Sequence, residues 1–419
     1  MDGRGAACVP AIFCLCLNTV QPFTTLPRCA CNNSEVMRTV YSAAHLWDGK
    51  RLQENGIIVV EDGRIAEMGT RTAREVPHGA NIRDFPNGVL APAFFDVHIH
   101  GAAGHDIMEA TPEALSRMGR FLAARGTGAY LATTVSAPVD TTVKSLEGMA
   151  KIIAQNPVEG EAKPVGIHLE GPFLSHGKRG AHPPNRLLAP DIGIFDRLFE
   201  AAEGNVRLMT LAPELPGAAE LAAHATSRGV RISLGHSDAN AAETRRAIAA
   251  GASSATHTYN AMRALDHKNP GILETVLTAD ELYAELICDG IHNMPELVQL
   301  WWRAKGPEKA ILVTDAMSAT GMPDGEYQLG DFPVKVANGR AMIGDALAGS
   351  VLTLDKALAN FVCFTGASVE QALRLLTVNP AAMSGFGDRG TLKVGGAADF
   401  VAVDARGNLL TSVVGGITA

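Results

Sequence analysis

The sequence has no long run of positive charge. Its 419 residues carry 36 Lys and Arg against 44 Asp and Glu, which leaves a net charge of −8. Proteins that bind nucleic acids need clustered basic residues to match the phosphate backbone. We therefore expect no nucleic-acid partner. Charged residues make up 19% of the chain and hydrophobic residues 47%, as in ordinary folded globular proteins.

Cysteine is scarce beyond position 36. Of the seven cysteines, only Cys288 and Cys363 follow Met37. Proteins of oxidising compartments are the ones that accumulate disulfides, whereas cytosolic proteins keep few and reduced thiols. The body of the chain therefore has the cysteine content of a cytoplasmic protein.

The first 36 residues differ in composition from the rest. Residues 6–17 are apolar and are similar to the central part of a signal peptide, but acidic Asp2 precedes them and no clear cleavage site follows. The run is also too short to span a bilayer, so no membrane association is expected. We interpret residues 1–36 as a disordered or wrongly annotated extension, with Met37 as the start of the protein. A secretory segment is the alternative.

Both ends of the remaining chain predict short strands. Residues 37–88 contain apolar runs separated by turn signals such as Asp48-Gly49 and Asp62-Gly63. Residues 388–419 repeat this pattern around Gly395-Gly396. We predict that the two segments together form one small β-sandwich domain.

Residues 89–387 alternate β-branched apolar runs with helical patterns, which is typical of repeated βα units. The 217 residues between positions 98 and 315 make seven intervals of 31 residues, close to the roughly 30 residues of one such unit. The sequence therefore predicts an α/β fold, a (β/α)8 TIM-like barrel. Helices are expected at 112–125, 239–250, 294–305, 350–364 and 368–377. The predicted strands end near His98, Thr134, Glu170, Ala212, His236, His257, Asp289 and Asp315.

Several of these predicted strand ends carry metal-ligand side chains. His98 and His100 are two residues apart, so they lie on the same face of a strand. Glu170 ends an apolar strand, where an unpaired carboxylate is costly unless a partner such as a cation neutralises it. His168, one step deeper, is interpreted as a core or supporting residue.

The same pattern recurs on later strands. His236, His257 and Asp315 each follow an apolar run, and catalytic groups of barrels lie at the carboxyl ends of strands. Imidazole and carboxylate ligands without cysteine suit Zn²⁺, Fe²⁺, Mn²⁺ or Co²⁺ and leave space for water. The convergence of these residues predicts a metal-dependent hydrolase.

The sequence resembles the N-acetylglucosamine-6-phosphate deacetylase family of the amidohydrolase superfamily, from Thr39 to the end. The segments that carry the resemblance follow one another in the family's order. They are His168-Leu169-Glu170-Gly171-Pro172-Phe173, Gly180-Ala181-His182-Pro183, Gly235-His236-Ser237, Thr256-His257, Asn260-Ala261-Met262, Asp289-Gly290-Ile291-His292, Thr314-Asp315-Ala316 and Leu347-Ala348-Gly349-Ser350.

This resemblance implies hydrolysis of the acetamide of N-acetylglucosamine 6-phosphate, with one or two divalent metal ions per subunit. The principal ion would be held by Glu170, His236 and His257. A second ion would be held by Glu170 together with His98, His100 and Asp315.

The resemblance also implies roles in catalysis. Asp315 would act as the general base towards water and then as the acid towards the departing amine. His182 would polarise the acetyl carbonyl or position the substrate.

Substrate contacts are implied for a further group of residues. Lys268 would bind the phosphate where the family usually has Arg, and Lys does so as a point charge without a bidentate fork. A neighbouring subunit would complete the phosphate site, so a homodimer is expected. The implied substrate-binding residues are Ala181, His182, Asn260, Ala261, Lys268, His292, Leu347, Ala348 and Gly349.

Two alternatives remain open at the level of sequence. One is another amidohydrolase that acts on N-acyl amino acids or cyclic amides, where a carboxylated Lys often takes the place that Glu170 has here. The other is a non-catalytic barrel scaffold, which loss of metal ligands would indicate.

Overall fold

The structure, a computed structural model, describes residues 38–71 and 81–419. The predicted extension at residues 1–36 lies outside the described residues. In the part of the chain that is described, no helix combines the length and the apolar character needed to cross a membrane.

Strands and helices alternate through most of the described chain. The first strands are β1 (Thr39–Trp47), β2 (Leu52–Glu61), β3 (Arg64–Thr70), β4 (Asn81–Pro92), β5 (Phe94–Ile99), β6 (Gly101–Ala102), β7 (His105–Asp106), β8 (Thr127–Thr134), β9 (Lys163–Glu170), β10 (Val206–Leu211), β11 (Arg231–Leu234), β12 (Ala252–Ala255), β13 (Tyr283–Ile287) and β14 (Ala310–Val313). The later strands are β15 (Gly325–Leu329), β16 (Phe332–Ala337), β17 (Arg340–Ile343), β18 (Ala346–Leu347), β19 (Phe400–Asp404), β20 (Leu409–Val414) and β21 (Ile417–Thr418). The helices are α1 (Pro112–Ala123), α2 (Val139–Ile153), α3 (Ile192–Ala201), α4 (Ala218–Ser227), α5 (Ala241–Ala249), α6 (Ile272–Thr278), α7 (Pro295–Lys309), α8 (Leu354–Thr365), α9 (Val369–Leu376) and α10 (Val378–Met383).

Eight parallel strands form the barrel. Their order is β14-β13-β12-β11-β10-β9-β8-β5, so each strand pairs with the next one along the chain. The barrel closes where β5 meets the end of β14: the His100 amide donates to the Ala316 carbonyl (2.8 Å), and the Asp315 amide donates to that of His98 (2.9 Å). The predicted (β/α)8 architecture is confirmed, with each strand ending within two residues of its predicted position.

The helices pack apolar faces onto the barrel because their hydrophobic residues recur at helical spacing. In α1 the buried residues include Leu115, Met118 and Leu122, while Arg117 points to solvent. Thr111 caps this helix by accepting a hydrogen bond from the Ala114 amide. The five predicted helices are all present, with ends shifted by a few residues, where capping residues rather than periodicity set the boundary.

Both ends of the described chain meet in one seven-stranded sheet of order β21-β20-β19-β4-β1-β2-β3. Phe400 of β19 pairs with Pro92 of β4. The sheet buries its own apolar cluster, in which the rings of Tyr41 and Phe400 lie edge to face with centroids 4.9 Å apart. The predicted small β-domain from both chain ends is confirmed, with its strands in one hydrogen-bonded sheet. Its proposed limits, 37–88 and 388–419 around a barrel of 89–387, stay a prediction.

A four-stranded antiparallel sheet, β15-β16-β17-β18, lies between β14 and α8. Asn338 and Gly339 form the two-residue turn between β16 and β17, both with positive φ (53° and 72°). Apolar residues of the sheet, such as Leu329 and Val334, form a satellite cluster with Val135 of the barrel rim. We call residues 325–347 the rim sheet. It was not predicted from the sequence.

Candidate metal centre and substrate pocket

Six predicted ligands come together at the carboxyl ends of five barrel strands. The first three lie on or directly after β5 and at the end of β9, and the other three follow β11, β12 and β14, each two residues beyond the strand end. All six side chains are buried, the most exposed being Asp315 at 8% for the whole residue. In chain order the six are His98, His100, Glu170, His236, His257 and Asp315.

The last three residues have left-handed backbone conformations. Their φ angles are 47° for His236, 29° for His257 and 50° for Asp315. This region costs a non-glycine residue about 1–3 kcal/mol and persists only where surrounding contacts impose it. Backbone hydrogen bonds hold the chain at two of these positions. The Asp315 amide donates to the His98 carbonyl, and the Ser237 amide, next to His236, donates to the Ala261 carbonyl (3.0 Å). The strand ends therefore turn these side chains into the barrel mouth at the expense of local strain.

One ligand set consists of Glu170, His236 and His257. The Oε1 atom of Glu170 lies 3.2 Å from His236 Nε2 and 3.1 Å from His257 Nε2. The two imidazole Nε2 atoms are 3.0 Å apart. One ligand atom from each residue thus lies within 4.8 Å of the others, close enough to share one ion.

A second set consists of His98, His100 and Asp315. The Oδ1 atom of Asp315 lies 3.4 Å from His98 Nε2 and 3.1 Å from His100 Nε2. Glu170 connects the two sets, with Oε1 3.4 Å from His98 Nε2 and Oε2 3.2 Å from His100 Nε2. The sequence-predicted ligands for both ions are therefore brought together around one bridging carboxylate.

The outer nitrogens of three histidines show which atoms face the centre. His98 Nδ1 lies 3.2 Å from Glu285 Oε2, His100 Nδ1 3.3 Å from a backbone carbonyl, and His236 Nδ1 2.9 Å from another. In a neutral imidazole, the form that binds a metal ion, each of these acceptors requires the N–H on Nδ1, which leaves the Nε2 lone pair directed inward. A cation between them stabilises imidazole lone pairs and carboxylate oxygens that face one another. Hydrogen bonds from the outer histidine nitrogens to carbonyl or carboxylate oxygens are also usual around metal ligands. The residues present therefore fit a divalent metal ion.

Electrostatics at the centre are strongly coupled. Burial raises the pKa of the Glu170 carboxyl, but His98 and its neighbours outweigh burial and hold that pKa well below its ordinary value. The pKa of Asp315 is lowered in the same way. Conversely, burial lowers the pKa of His100, yet Asp315 and Glu170 raise it to about 9. The lowered carboxyl pKa values and the raised imidazole pKa have one cause: positive charge beside these buried carboxylates is favourable, and a bound cation would also supply it.

His168 lies beside the centre but belongs to neither ligand set. Its Nε2 is 2.8 Å from the Thr210 hydroxyl, and its ring packs edge to face on His98. Burial, followed by the positive potential of His98, holds its pKa well below the ordinary value. It is a neutral imidazole of the barrel interior, in agreement with its interpretation as a supporting residue.

His182 has the opposite tautomer from His236. Its Nδ1 accepts a hydrogen bond from the Ser136 amide (3.3 Å) and lies 2.9 Å from the Ser136 hydroxyl. A neutral ring then carries its proton on Nε2, which lies 3.3 Å from Glu170 Oε2. His182 therefore presents a donor to the space beside the ligand sets, where neutral His98, His100 and His236 present lone pairs.

A cavity of about 220 Å³ opens above the ligands. Seven of the nine predicted substrate-binding residues line it: Ala181, His182, Asn260, Ala261, His292, Leu347 and Gly349. Ala348 is fully buried and is not among the lining residues. Lys268 is exposed on the loop after Arg263 and is not among the lining residues, so its role in binding phosphate stays a prediction.

The cavity also has walls that the sequence analysis missed. Val135, Leu329, Phe332 and Ala346 line it, three of them from the rim sheet. The dipeptide Asn338-Gly339 between alternating apolar residues is a signal for one hairpin of this sheet, and the sequence analysis did not use it. Gly180 lines the cavity as well. A Cβ at this position would lie 3.3 Å from the His236 ring, a tight contact that glycine avoids.

Supporting residues were missed too. Glu214 follows β10 and binds the loop next to His236, with its oxygens 2.7 Å from the Ser237 hydroxyl and 2.7 Å from the Asp238 amide. Its place just beyond a strand end is a signal that sequence analysis could have used. His292 is held by Asp289, whose Oδ2 lies 2.7 Å from His292 Nδ1.

Comparison with known proteins agrees with this geometry. The sequence pattern of the amidohydrolase family matches residues 89–418. The chain is 35% identical over 367 residues to an N-acetylglucosamine-6-phosphate deacetylase of Bacillus subtilis, covering 87% of this chain and 92% of the relative. It is 37% identical over 366 residues to an N-acetylgalactosamine-6-phosphate deacetylase of Escherichia coli O157:H7, covering 86% and 95%.

A solved structure is similar over most of the length. It is that of a mutant N-acetyl-D-glucosamine-6-phosphate deacetylase of Mycobacterium smegmatis in complex with N-acetyl-D-glucosamine 6-phosphate. The two superpose with a TM-score of 0.84 at 31% identity, covering 91% of this chain and 99% of that one. The ligand clusters at the strand ends, the extent of the family match and these relatives lead to one conclusion: this chain belongs to the amidohydrolase family.

Proposed function

We propose that this enzyme hydrolyses the acetamide of N-acetylglucosamine 6-phosphate to glucosamine 6-phosphate and acetate. The observation that carries the proposal is Glu170, in contact with His236 and His257 at the floor of a cavity into which Asp315 and His182 also point. The names of the deacetylase relatives supply the substrate class.

A divalent ion, Zn²⁺, Fe²⁺, Mn²⁺ or Co²⁺, would be held by Glu170, His236 and His257. A second ion would be held by Glu170, His98 and His100 with Asp315. Such ions lower the pKa of water and polarise a carbonyl oxygen when bound.

Asp315 is suited to move the proton. It lines the cavity, and its pKa is held below the ordinary value, so the side chain is ionised at neutral pH and has an oxygen free to take the proton of the attacking water. The same oxygen then delivers that proton to the sugar nitrogen, which leaves as an amine.

His182 orients the acyl group in this proposal. Its Nε2–H faces the cavity because Ser136 occupies Nδ1, so it donates a hydrogen bond to the acetyl carbonyl oxygen. Asn260 and His292 also line the cavity and offer polar contacts to the sugar hydroxyls.

The phosphate is assigned to Lys268 and to a neighbouring subunit in a homodimer. Lys268 is exposed next to the cavity loop that carries Ala261, where a second subunit would have access to it. Met294, Leu297 and Leu300 form an exposed apolar stripe at the start of α7, with exposed fractions of 57%, 38% and 44%. This stripe is the surface we assign to the dimer. The scarcity of cysteine in the body supports a cytoplasmic location.

N-acetylgalactosamine 6-phosphate is the second candidate substrate. It differs from the first only at the sugar C4, and the Escherichia coli relative named for it is as similar to this chain as the glucosamine relatives are.

The test measures acetate release from N-acetylglucosamine 6-phosphate, N-acetylgalactosamine 6-phosphate and unphosphorylated N-acetylglucosamine. Charge-assisted hydrogen bonds contribute about 1.5–3 kcal/mol, so kcat/KM should be roughly 10- to 100-fold higher for the phosphorylated sugars. Equal rates with and without phosphate would remove the assigned roles of Lys268 and the second subunit. No acetate from any of the three would overturn the proposed function.

A further inference from the structure

Glu285 occupies an unusual place for an acid. It lies in β13 with its side chain directed into the barrel, and none of it is exposed. A buried carboxylate is costly unless its surroundings use it. The proposed reaction assigns it nothing, and β13 contributes no predicted metal ligand.

One oxygen of Glu285 contacts both ligand sets. Its Oε2 lies 3.2 Å from His98 Nδ1 and accepts a hydrogen bond from the His257 backbone amide at 3.3 Å. His98 belongs to one set and His257 to the other. Glu285 therefore contacts one member of each ligand set through the same carboxylate oxygen.

The two contacts have different effects. The contact to His98 requires the proton on Nδ1 and so keeps the Nε2 lone pair towards Asp315 and Glu170. The contact to His257 holds the amide of a residue whose φ of 29° is strained. Without Glu285, His98 is free to change tautomer and the β12 end is free to relax.

We propose that Glu285 is a positioning residue that couples the two ligand sets, by fixing the His98 tautomer and the His257 backbone with one carboxylate. This inference rests on the proposed metal-dependent function, and it concerns ion binding rather than contact with substrate. Loss of such a supporting partner typically weakens metal affinity about 10- to 100-fold.

The experiment uses Co²⁺, whose visible absorption reports ligand geometry. Full-length protein loaded with Co²⁺ is titrated with a chelator, and the amount and spectrum of retained metal are followed for wild type, Glu285→Gln and Glu285→Leu. The Gln variant keeps an acceptor for His98 and should lose at most about 10-fold in affinity. The Leu variant removes the acceptor and should lose about 100-fold with an altered spectrum.

A matched control is Asp355→Asn, which alters another buried carboxylate, in α8, that contacts Arg125 rather than the ligands. It should retain wild-type affinity and spectrum. Circular dichroism establishes folding. If the Leu variant does not fold, Glu285→Asp replaces it, since its shorter side chain withdraws the carboxylate from His98 and should also weaken binding.

Wild-type affinity and an unchanged spectrum in the folded Leu variant, or in the Asp variant that replaces it, would overturn the inference. Acetate release is measured separately. If the variant binds the ion normally and the wild-type enzyme releases acetate, only the role of Glu285 is contradicted. If the variant binds the ion more weakly but the wild-type enzyme releases no acetate, only the proposed substrate is contradicted.

Discussion

Asp315 and Glu170 are the two acidic members of the proposed ligand sets, but their surroundings differ. Glu170 lies within 3.4 Å of five histidine Nε2 atoms, those of His98, His100, His182, His236 and His257. Asp315 contacts only the first two of these. Loss of the Asp315 charge therefore leaves the Glu170, His236 and His257 set complete.

Asp315→Asn should keep most of its metal while turnover collapses. The amide preserves the shape of the side chain and an oxygen that can face the ion but cannot take a proton, and general acid–base groups contribute about 10²- to 10⁴-fold to rate. Metal content by mass spectrometry and kcat for acetate release check this. Asp331→Asn, an exposed change on the rim sheet, serves as control and should stay at wild-type rate. Near-normal turnover of Asp315→Asn would remove Asp315 from proton transfer.

At the scale of residues, the sequence predicted the ligands but not their supports. Polar side chains that interrupt apolar strands, such as Glu170 and His236, are visible because burial there needs a chemical reason. Glu285 interrupts β13 as well, but its proposed role depends on a contact to His98, which is 187 positions away in the chain. Such partners follow from barrel closure and not from local pattern.

The helices α6 and α7 are joined by a buried lysine. Lys305 of α7 donates to the carbonyls of Val276 (2.9 Å) and Ala279 (2.7 Å) at the end of α6. A cation at this position also interacts favourably with the helix dipole. Burial lowers the pKa of Lys305 to about 8.

This pKa makes the stability of the fold depend on pH. Between about pH 8 and 10.5 the unfolded chain binds a proton at Lys305 that the folded protein has lost, so the free energy of unfolding rises with pH. The slope contributed by one group is at most about 1.4 kcal/mol per pH unit. Urea unfolding of wild type and Lys305→Met at pH 7, 8 and 9 should show this rise only in wild type. Parallel curves would contradict the burial effect.

At the scale of elements, strands and helices with clear periodicity were predictable, whereas the rim sheet was not. Its strands are short and largely exposed on one side, so their apolar residues do not form a long pattern. Only the Asn338-Gly339 turn indicated a hairpin. As a result the sequence predicted the candidate ligands but not Leu329 and Phe332 of the cavity wall.

The proposed dimer, a property of the whole molecule, is tested on the α7 stripe. Leu297→Glu combined with Leu300→Glu places two charges on a surface that would be buried between subunits, so the protein should become monomeric. Sedimentation velocity measures this. Val394→Glu changes an exposed apolar residue elsewhere, 57% accessible, and should leave the assembly unchanged. A wild-type monomer, or an unaffected dimer in the double variant, would remove the stripe as the interface.

The pairing of Pro92 with Phe400 has a consequence for synthesis. During synthesis β1 is made before β4 and can pair with it at once. The other neighbour of β4 is β19, which is made only after every strand of the barrel. The sheet is therefore completed last, beside a catalytic body whose strands have all been made. Pairing of β4 with β19 therefore requires residues that are synthesised after all the strands that carry the candidate ligands.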